Sequence, residues 1–188
     1  MVRIMIRNKK DLYEYLEADK IALRRSGKRP KITDYIWKYE ILLRKCEYYQ
    51  NTNTNKLNPF FLLARYRKAK LGATLGFSIP TNVVDKGLAL VHIGPIVVSN
   101  YAKIGQNCRI HVGVNIGADA RVADAAPTIG NCVYIGPGAK LFGKITIADN
   151  IAIGANAVVN KSFEESNISI AGVPAKKISD LGTEGIIQ

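Results

Sequence analysis

A parallel β-helix behind an α-helical N-terminal region is the architecture that this 188-residue sequence predicts, on three observations. First, an aliphatic residue returns every six positions from Val98 to Val159, with one break. The first run is Val98, Ile104, Ile110, Ile116 and Val122; after a single extra residue the second is Ile129, Ile135, Leu141, Ile147, Ile153 and Val159. Second, the next position is often glycine (Gly105, Gly117, Gly130, Gly136, Gly154), and a compact or β-branched residue such as Ala102, Cys108, Val114, Ala120, Val133 or Ala139 stands four after the aliphatic. Third, the residues before Gly76 carry helix signals instead. A helix repeats its apolar face every 3.6 residues and a strand every two, so a strict six fits neither alone. It fits short strands joined by tight turns, three to a coil, each aliphatic pointing inward and stacking on its equivalent about eighteen residues on. Glycine suits the turn if the backbone there needs φ > 0.

Taken in order, residues 11–25 and 34–50 read as helices separated by the turn signal Ser-Gly-Lys-Arg-Pro at 26–30. In the second, Tyr39, Leu42, Leu43, Cys46 and Tyr49 share one apolar face, and Thr33 or Asp34 supplies its N-cap. The polar stretch 51–55 reads as a loop. Asn58 then caps a third helix with Pro59 at its first position; that helix runs to about Leu75, and Gly76 leads into the first of about five coils. The expected division is a helical region over 1–75, the β-helix over 76–178 and a tail over 179–188.

The net charge of +12 is lopsided: residues 1–75 carry 18 Lys and Arg against 7 Asp and Glu, the remainder 9 against 8. A basic region can mark a nucleic-acid or membrane-surface patch. No nucleic-acid-binding motif accompanies the charge, and amphipathic helices with a solvated basic face account for it. No apolar run reaches the eighteen or so residues that span a bilayer, and the charged opening decapeptide does not read as a signal peptide. Cys46, Cys108 and Cys132 form an odd set without CxxC spacing, which argues against a disulfide framework and a zinc site. These features predict a cytoplasmic protein without a metal.

The repeat, with Gly-Phe-Ser-Ile-Pro (76–80), Leu-Val-His-Ile-Gly (90–94), Val-Asn-Ile-Gly (114–117), Pro-Thr-Ile-Gly (127–130), Ile-Gly-Pro-Gly-Ala-Lys (135–140) and Ala-Gly-Val-Pro-Ala-Lys (171–176), resembles the hexapeptide-repeat acyltransferases, and among them the serine acetyltransferases and their capsule- and exopolysaccharide-associated relatives. The resemblance implies a mainly β fold, a left-handed parallel β-helix, and an O-acetyltransferase that uses acetyl-CoA. It implies a homotrimer with active sites between subunits, and leaves a hexamer open because the helical region is shorter than the family's.

There are two histidines. His92 lies two residues past inward Leu90, so it points off the coil; the spacing from Pro80 matches the family's catalytic base, which takes the acceptor hydroxyl's proton. His111, nineteen residues on, is a candidate for orienting substrate. The resemblance also marks departures. Phe77 replaces a carboxylate that orients the base, Val91 an acidic residue that contacts serine, and Ala125-Ala126 an Arg-His pair that holds the amino acid. Asp85, Asp119 and Asp124 are carboxylates, and Arg121 a cation, that would have to serve the acceptor from another direction; Asp119, Arg121 and Asp124 are the substrate-binding candidates. The acceptor is then L-serine or a sugar hydroxyl, with a non-catalytic scaffold as the rival outside enzymology. For coenzyme A the resemblance marks Gly117, Ala118, Gly136, Gly154 and Ala155 as turns that its pantetheine arm approaches, and Lys176 and Lys177 as partners for its phosphates. The step from Gly117 to Thr128 is a candidate lid. The closing Gly-Ile-Ile-Gln is an imperfect version of a family tail that enters cysteine synthase.

Overall fold

A computed structural model of the chain describes residues 5–52, 57–122 and 124–187. Three helices open it: α1 (Lys9–Ala22), α2 (Tyr35–Thr52) and α3 (Pro59–Leu75). Each starts where a short polar side chain takes an otherwise orphaned N–H. Asn8 accepts from Asp11, Asp34 Oδ1 accepts from the Trp37 N–H at 3.3 Å, and Asn58 accepts from Phe60 and Phe61. Gly76 ends α3 in the left-handed region, φ 80°. The first helix therefore begins and ends earlier than the sequence suggests. The second absorbs Asn51 and Thr52 of the expected loop, whose residues 53–55 lie outside the described set.

The rest winds as a three-sided parallel β-helix, its strands numbered along the chain. The first sheet stacks β1 (Phe77–Ser78), β3 (Ile96–Val98), β6 (Asn115–Gly117), β9 (Lys140–Phe142) and β12 (Val158–Val159). The second stacks β4 (Lys103–Ile104), β7 (Thr128–Ile129) and β10 (Thr146–Ile147), extended by single bridges from Val84 and Phe163. The third stacks β2 (Ala89–Leu90), β5 (Arg109–Ile110), β8 (Tyr134–Ile135), β11 (Ala152–Ile153) and β13 (Ser169–Gly172). There β14 (Ala175–Ser179) folds back antiparallel on β13. Helices hold more of the described residues than strands do, so the fold is mixed α and β rather than mainly β.

The six-residue beat is the core. Aliphatics of both runs stack in register, Ile110 on Ile135 and Ile135 on Ile153 among them, and are buried. Val122 is the exception at 52 % exposure, and Ala120 is exposed as well. The chain leaves the coil after Gly117 and rejoins it at Thr128, so the coil from Ile104 to its partner Ile129 takes 25 residues, against 18 from Ile129 to Ile147. What reads as a one-residue slip is a seven-residue insertion with Val122 on its outside.

The repeat glycines also serve a different purpose from the one the sequence suggests. Left-handed backbone falls two positions further along, at Asn107, Cys132 and Asn150 in one row of turns and at Gly113, Gly138 and Asn156 in another. Gly105, Gly130, Gly136 and Gly154 instead let adjacent coils touch. A Cβ on Gly136 would lie 2.7 Å from the Ile153 carbonyl oxygen and 2.9 Å from the Ala155 nitrogen. Backbone cannot swing aside, so Gly136→Ala is expected to destabilise the fold by about 1–3 kcal/mol, read as a lower urea midpoint at unchanged slope.

The helices close the open end of the β-helix with buried charge. The first turn of coil, residues 82–90, has no preceding strand to take its N–H groups. Asp19 Oδ1 accepts from Gly87 at 2.8 Å and Leu88 at 2.9 Å, Glu40 Oε1 from Leu90 at 3.0 Å, and Glu47 Oε1 from Asn82 at 2.8 Å. Arg44, fully buried, binds Asp19 at 2.7 Å and Glu47 at 3.0 Å and donates to the carbonyls of Val84 and Asp85 at 2.8 and 2.7 Å. The basic helices thus carry an ionic lock on their inner side, not only a solvated face.

Glu40 Oε2 is buried without a hydrogen-bond partner. Burial, reinforced by the Asp19 charge, pushes its carboxyl well above the ordinary range. The folded state then holds a proton that the unfolded chain releases, so this contribution is complete below the unfolded value near 4.5 and is lost as pH rises through the folded one. Glu40→Gln keeps an acceptor for Leu90 and removes the titration. The variant should outlast the natural chain in urea at pH 8, with the gap closing toward pH 4.5; a gap that does not change with pH would exclude Glu40 as its source.

Candidate active site

Chain direction defines three rows of turns along the β-helix. The row that joins the third sheet to the first contains His92, His111, Gly136, Gly154 and Ala155, one coil below another. In coil-to-coil register the His111 N–H donates to the Ile135 carbonyl at 3.1 Å, Gly136 to Ile153 at 2.9 Å and Gly154 to Ile170 at 2.8 Å. His92 sits one position further round the turn, level with Ala155, and its side chain is exposed. Its turn is fixed from above, since the Gly94 N–H donates to the Leu75 carbonyl at the end of α3, at 3.0 Å.

The two imidazoles meet edge to face, ring centroids 5.8 Å apart, and His111 lies 4.9 Å from the Tyr134 ring. Burial, then the neighbouring His92 and Arg109 charges, lower the pKa of His111 and favour its neutral form. Its Nδ1 is buried with no hydrogen-bond partner among the described residues. Tyr134 escapes a search for catalytic motifs. Its one signal is register: it precedes inward Ile135 and so faces outward beside His111.

The other expected residues divide. Asp119, Arg121 and Asp124 are exposed on the inserted loop, which joins the first sheet to the second and so leaves a different corner of the same chain from the histidines. Asp119 Oδ1 is spent on its own loop, accepting from the Arg121 N–H at 2.8 Å. No hydrogen bond or ion pair links these three to either histidine among the described residues. Asp85 is engaged elsewhere, accepting from the Tyr15 hydroxyl at 2.6 Å and the Lys86 N–H at 2.7 Å. Phe77 is packed in the core edge-on to Tyr39, at 5.1 Å, and Ala125 and Ala126 are buried.

Among the coenzyme candidates, Gly117 and Ala118 belong to the loop corner, whereas Gly136, Gly154 and Ala155 continue the histidine row. At Gly117 an added Cβ meets only Asn115 Oδ1, at 3.3 Å. Lys177 is held by Glu165 and Asp180, each at 2.6 Å, and its pKa is raised by those hydrogen bonds. It is therefore committed within the chain, whereas Lys176 is exposed with no carboxylate partner among the described residues. The start of the tail is docked, with the Thr183 N–H donating to the Asn150 carbonyl at 3.2 Å; Gln188 lies outside the described residues. Among those residues no three His, Cys, Asp or Glu side chains group as a metal site, and no helix is long and apolar enough to cross a membrane.

No family model matches the sequence. Over 122 residues the chain is 32% identical to the serine acetyltransferase of Helicobacter pylori strain J99, an alignment that takes in 64% of this chain and 71% of that protein. It is 36% identical over 100 residues to the serine acetyltransferase of Mycobacterium tuberculosis, covering 53% of this chain and 43% of that one. The crystal structure of serine acetyltransferase from Brucella abortus superposes with a TM-score of 0.67 at 25% identity, over 92% of this chain and 71% of that one. The β-helix, its turn histidines and these likenesses converge: the chain belongs to the serine acetyltransferase family.

Proposed function

We propose that the chain is an acetyl-CoA-dependent O-acetyltransferase with L-serine as the family acceptor, and that His92 is its general base. The observation that carries this reading is an exposed imidazole on a braced turn at the head of a row of small-residue turns. The acceptor oxygen attacks the thioester carbonyl while His92 Nε2 or Nδ1 takes its proton. The C–S bond then breaks, and the imidazolium returns the proton to the departing thiolate. Backbone N–H groups would steady the negative charge on the carbonyl oxygen between these steps. Gly136, Gly154 and Ala155 line the path for the pantetheine arm, and Lys176 is the tail cation left for a coenzyme phosphate. A side-by-side trimer would let the inserted loop of one subunit approach the histidines of the next, bringing Asp119, Arg121 and Asp124 to the acceptor from outside.

A sugar hydroxyl is the second reading, and one observation favours it. An amino acid needs partners for both its charges, since a desolvated charge without one costs several kcal/mol. The positions expected to supply them hold Phe77, Val91, Ala125 and Ala126. Free-thiol release from acetyl-CoA with L-serine, with simple sugars and with water alone tests both readings. Serine-dependent release supports the first, sugar-dependent release the second, and silence with all of these rejects both acceptors and favours a non-catalytic scaffold.

A further inference from the structure

Between α2, α3 and the turn at 26–30 lies a cleft of about 1060 Å³ whose far wall is Ile93, the residue after His92. Lys28, Arg29, Lys45, Arg67 and Lys70 line it, and no carboxylate does. All five are exposed, and none has a carboxylate partner among the described residues. Lys38, also in the lining, is turned to the Ile32 carbonyl and the Tyr35 ring instead. Leu42, Leu71 and Leu75 give the floor an apolar character. Elsewhere in the helical region Arg25 pairs with Asp34 at 2.7 Å and Lys20 with Glu17 at 2.8 Å, while Lys9, Lys10 and Arg65 have no carboxylate partner among the described residues but do not line this cleft. Five cations facing one concave space without a counter-charge repel one another, and an anion held among them relieves that repulsion.

We propose that this cleft binds the anionic end of a phosphate-bearing hydroxyl compound and presents its hydroxyl end to His92. The inference rests on the transferase reading above and deepens its acceptor. Phosphate chemistry could also come from coenzyme A. Position favours the acceptor: the small-residue turns run from His92 along the β-helix, away from the helices, whereas the cleft is lined by residues of the helical region, with Ile93 its one residue from the coils. The volume suits a ligand of several rings, and cationic stems over an apolar floor suit a phosphorylated sugar better than a free amino acid.

Titration calorimetry of the full chain with inorganic pyrophosphate at low ionic strength is the direct test. Saturable binding is expected, weakened at least about tenfold by Lys45→Glu with Lys70→Glu and unchanged by His92→Ala. Both lysines are exposed, so the double variant should keep the natural circular dichroism. No binding, or equal binding by the charge-reversed chain, overturns the site. In the thiol-release assay glucose 6-phosphate should show a lower KM than glucose, a preference that charge reversal removes; a preference that survives reversal overturns the assignment. Displacement of pyrophosphate by coenzyme A also overturns it, giving the cleft to the donor. If no hydroxyl compound releases thiol while pyrophosphate binding still follows the two lysines, the transferase reading has failed and the anion site stands. Transfer to serine without pyrophosphate binding is the reverse case.

Discussion

Acetyl transfer by His92→Ala should fall by about 10²–10⁴-fold, the usual contribution of a positioned general base, with no loss of stability. Both halves follow from position. The imidazole is exposed on its turn, so its removal empties no core, and the turn is held by the bond from Gly94 to Leu75. His111 is no substitute, because its Nδ1 is buried and its ring packs against Tyr134. Steady-state rates of thiol release, with urea unfolding of the same preparation, check the prediction. Unchanged turnover would remove His92 from the chemistry, while a shared drop in rate and stability would make it a structural residue.

Arg44→Ala is the change expected to cost most in stability, about 3–5 kcal/mol. The guanidinium is the cationic centre of a lock whose carboxylates have no water to turn to: Asp19 and Glu47 are each 2 % exposed. Its removal strands them, and also leaves the carbonyls of Val84 and Asp85 without their donor. Arg44→Lys should recover little, since one ammonium cannot reproduce the fork that reaches two carboxylates and two carbonyls. Urea midpoints for both variants decide the matter. A loss under about 1 kcal/mol in Arg44→Ala would mean that packing, not the lock, holds the helices to the coil.

The β-helix was legible because its cause is one-dimensional. A residue that must point inward once per side leaves its mark at a fixed interval, and no other element produces a period of six. The insertion was legible only in part. Val122 falls six after Ile116 by composition alone, and a periodicity argument has no means of seeing that the chain has already left the coil. The helices were legible by their caps to within a few residues.

The site divides in the same way. His92 and His111 were legible as neighbours because coil spacing converts sequence separation into stacking. Asp119, Arg121 and Asp124 were not, because which corner a loop leaves from depends on which side of the triangle it interrupts. The ionic lock and the basic cleft were invisible for a common reason. Charges at helical spacing read as a wet surface, and only three-dimensional packing decides that Arg44 turns inward to carboxylates while Lys45, its neighbour, turns outward to none.

Both ends of the solenoid are finished differently, and this bears on how the chain behaves in a crowded cell. An unfinished coil offers a row of free peptide groups on which another copy can continue the stack, the geometry from which fibrils grow. At the lower end, β14 runs antiparallel across β13 and breaks the register that a newcomer would copy. At the upper end, carboxylates of α1 and α2 occupy the N–H groups of Asn82, Gly87, Leu88 and Leu90. The helical region is therefore a terminator as well as a wall of the cleft: it occupies N–H groups on which a further coil could otherwise stack.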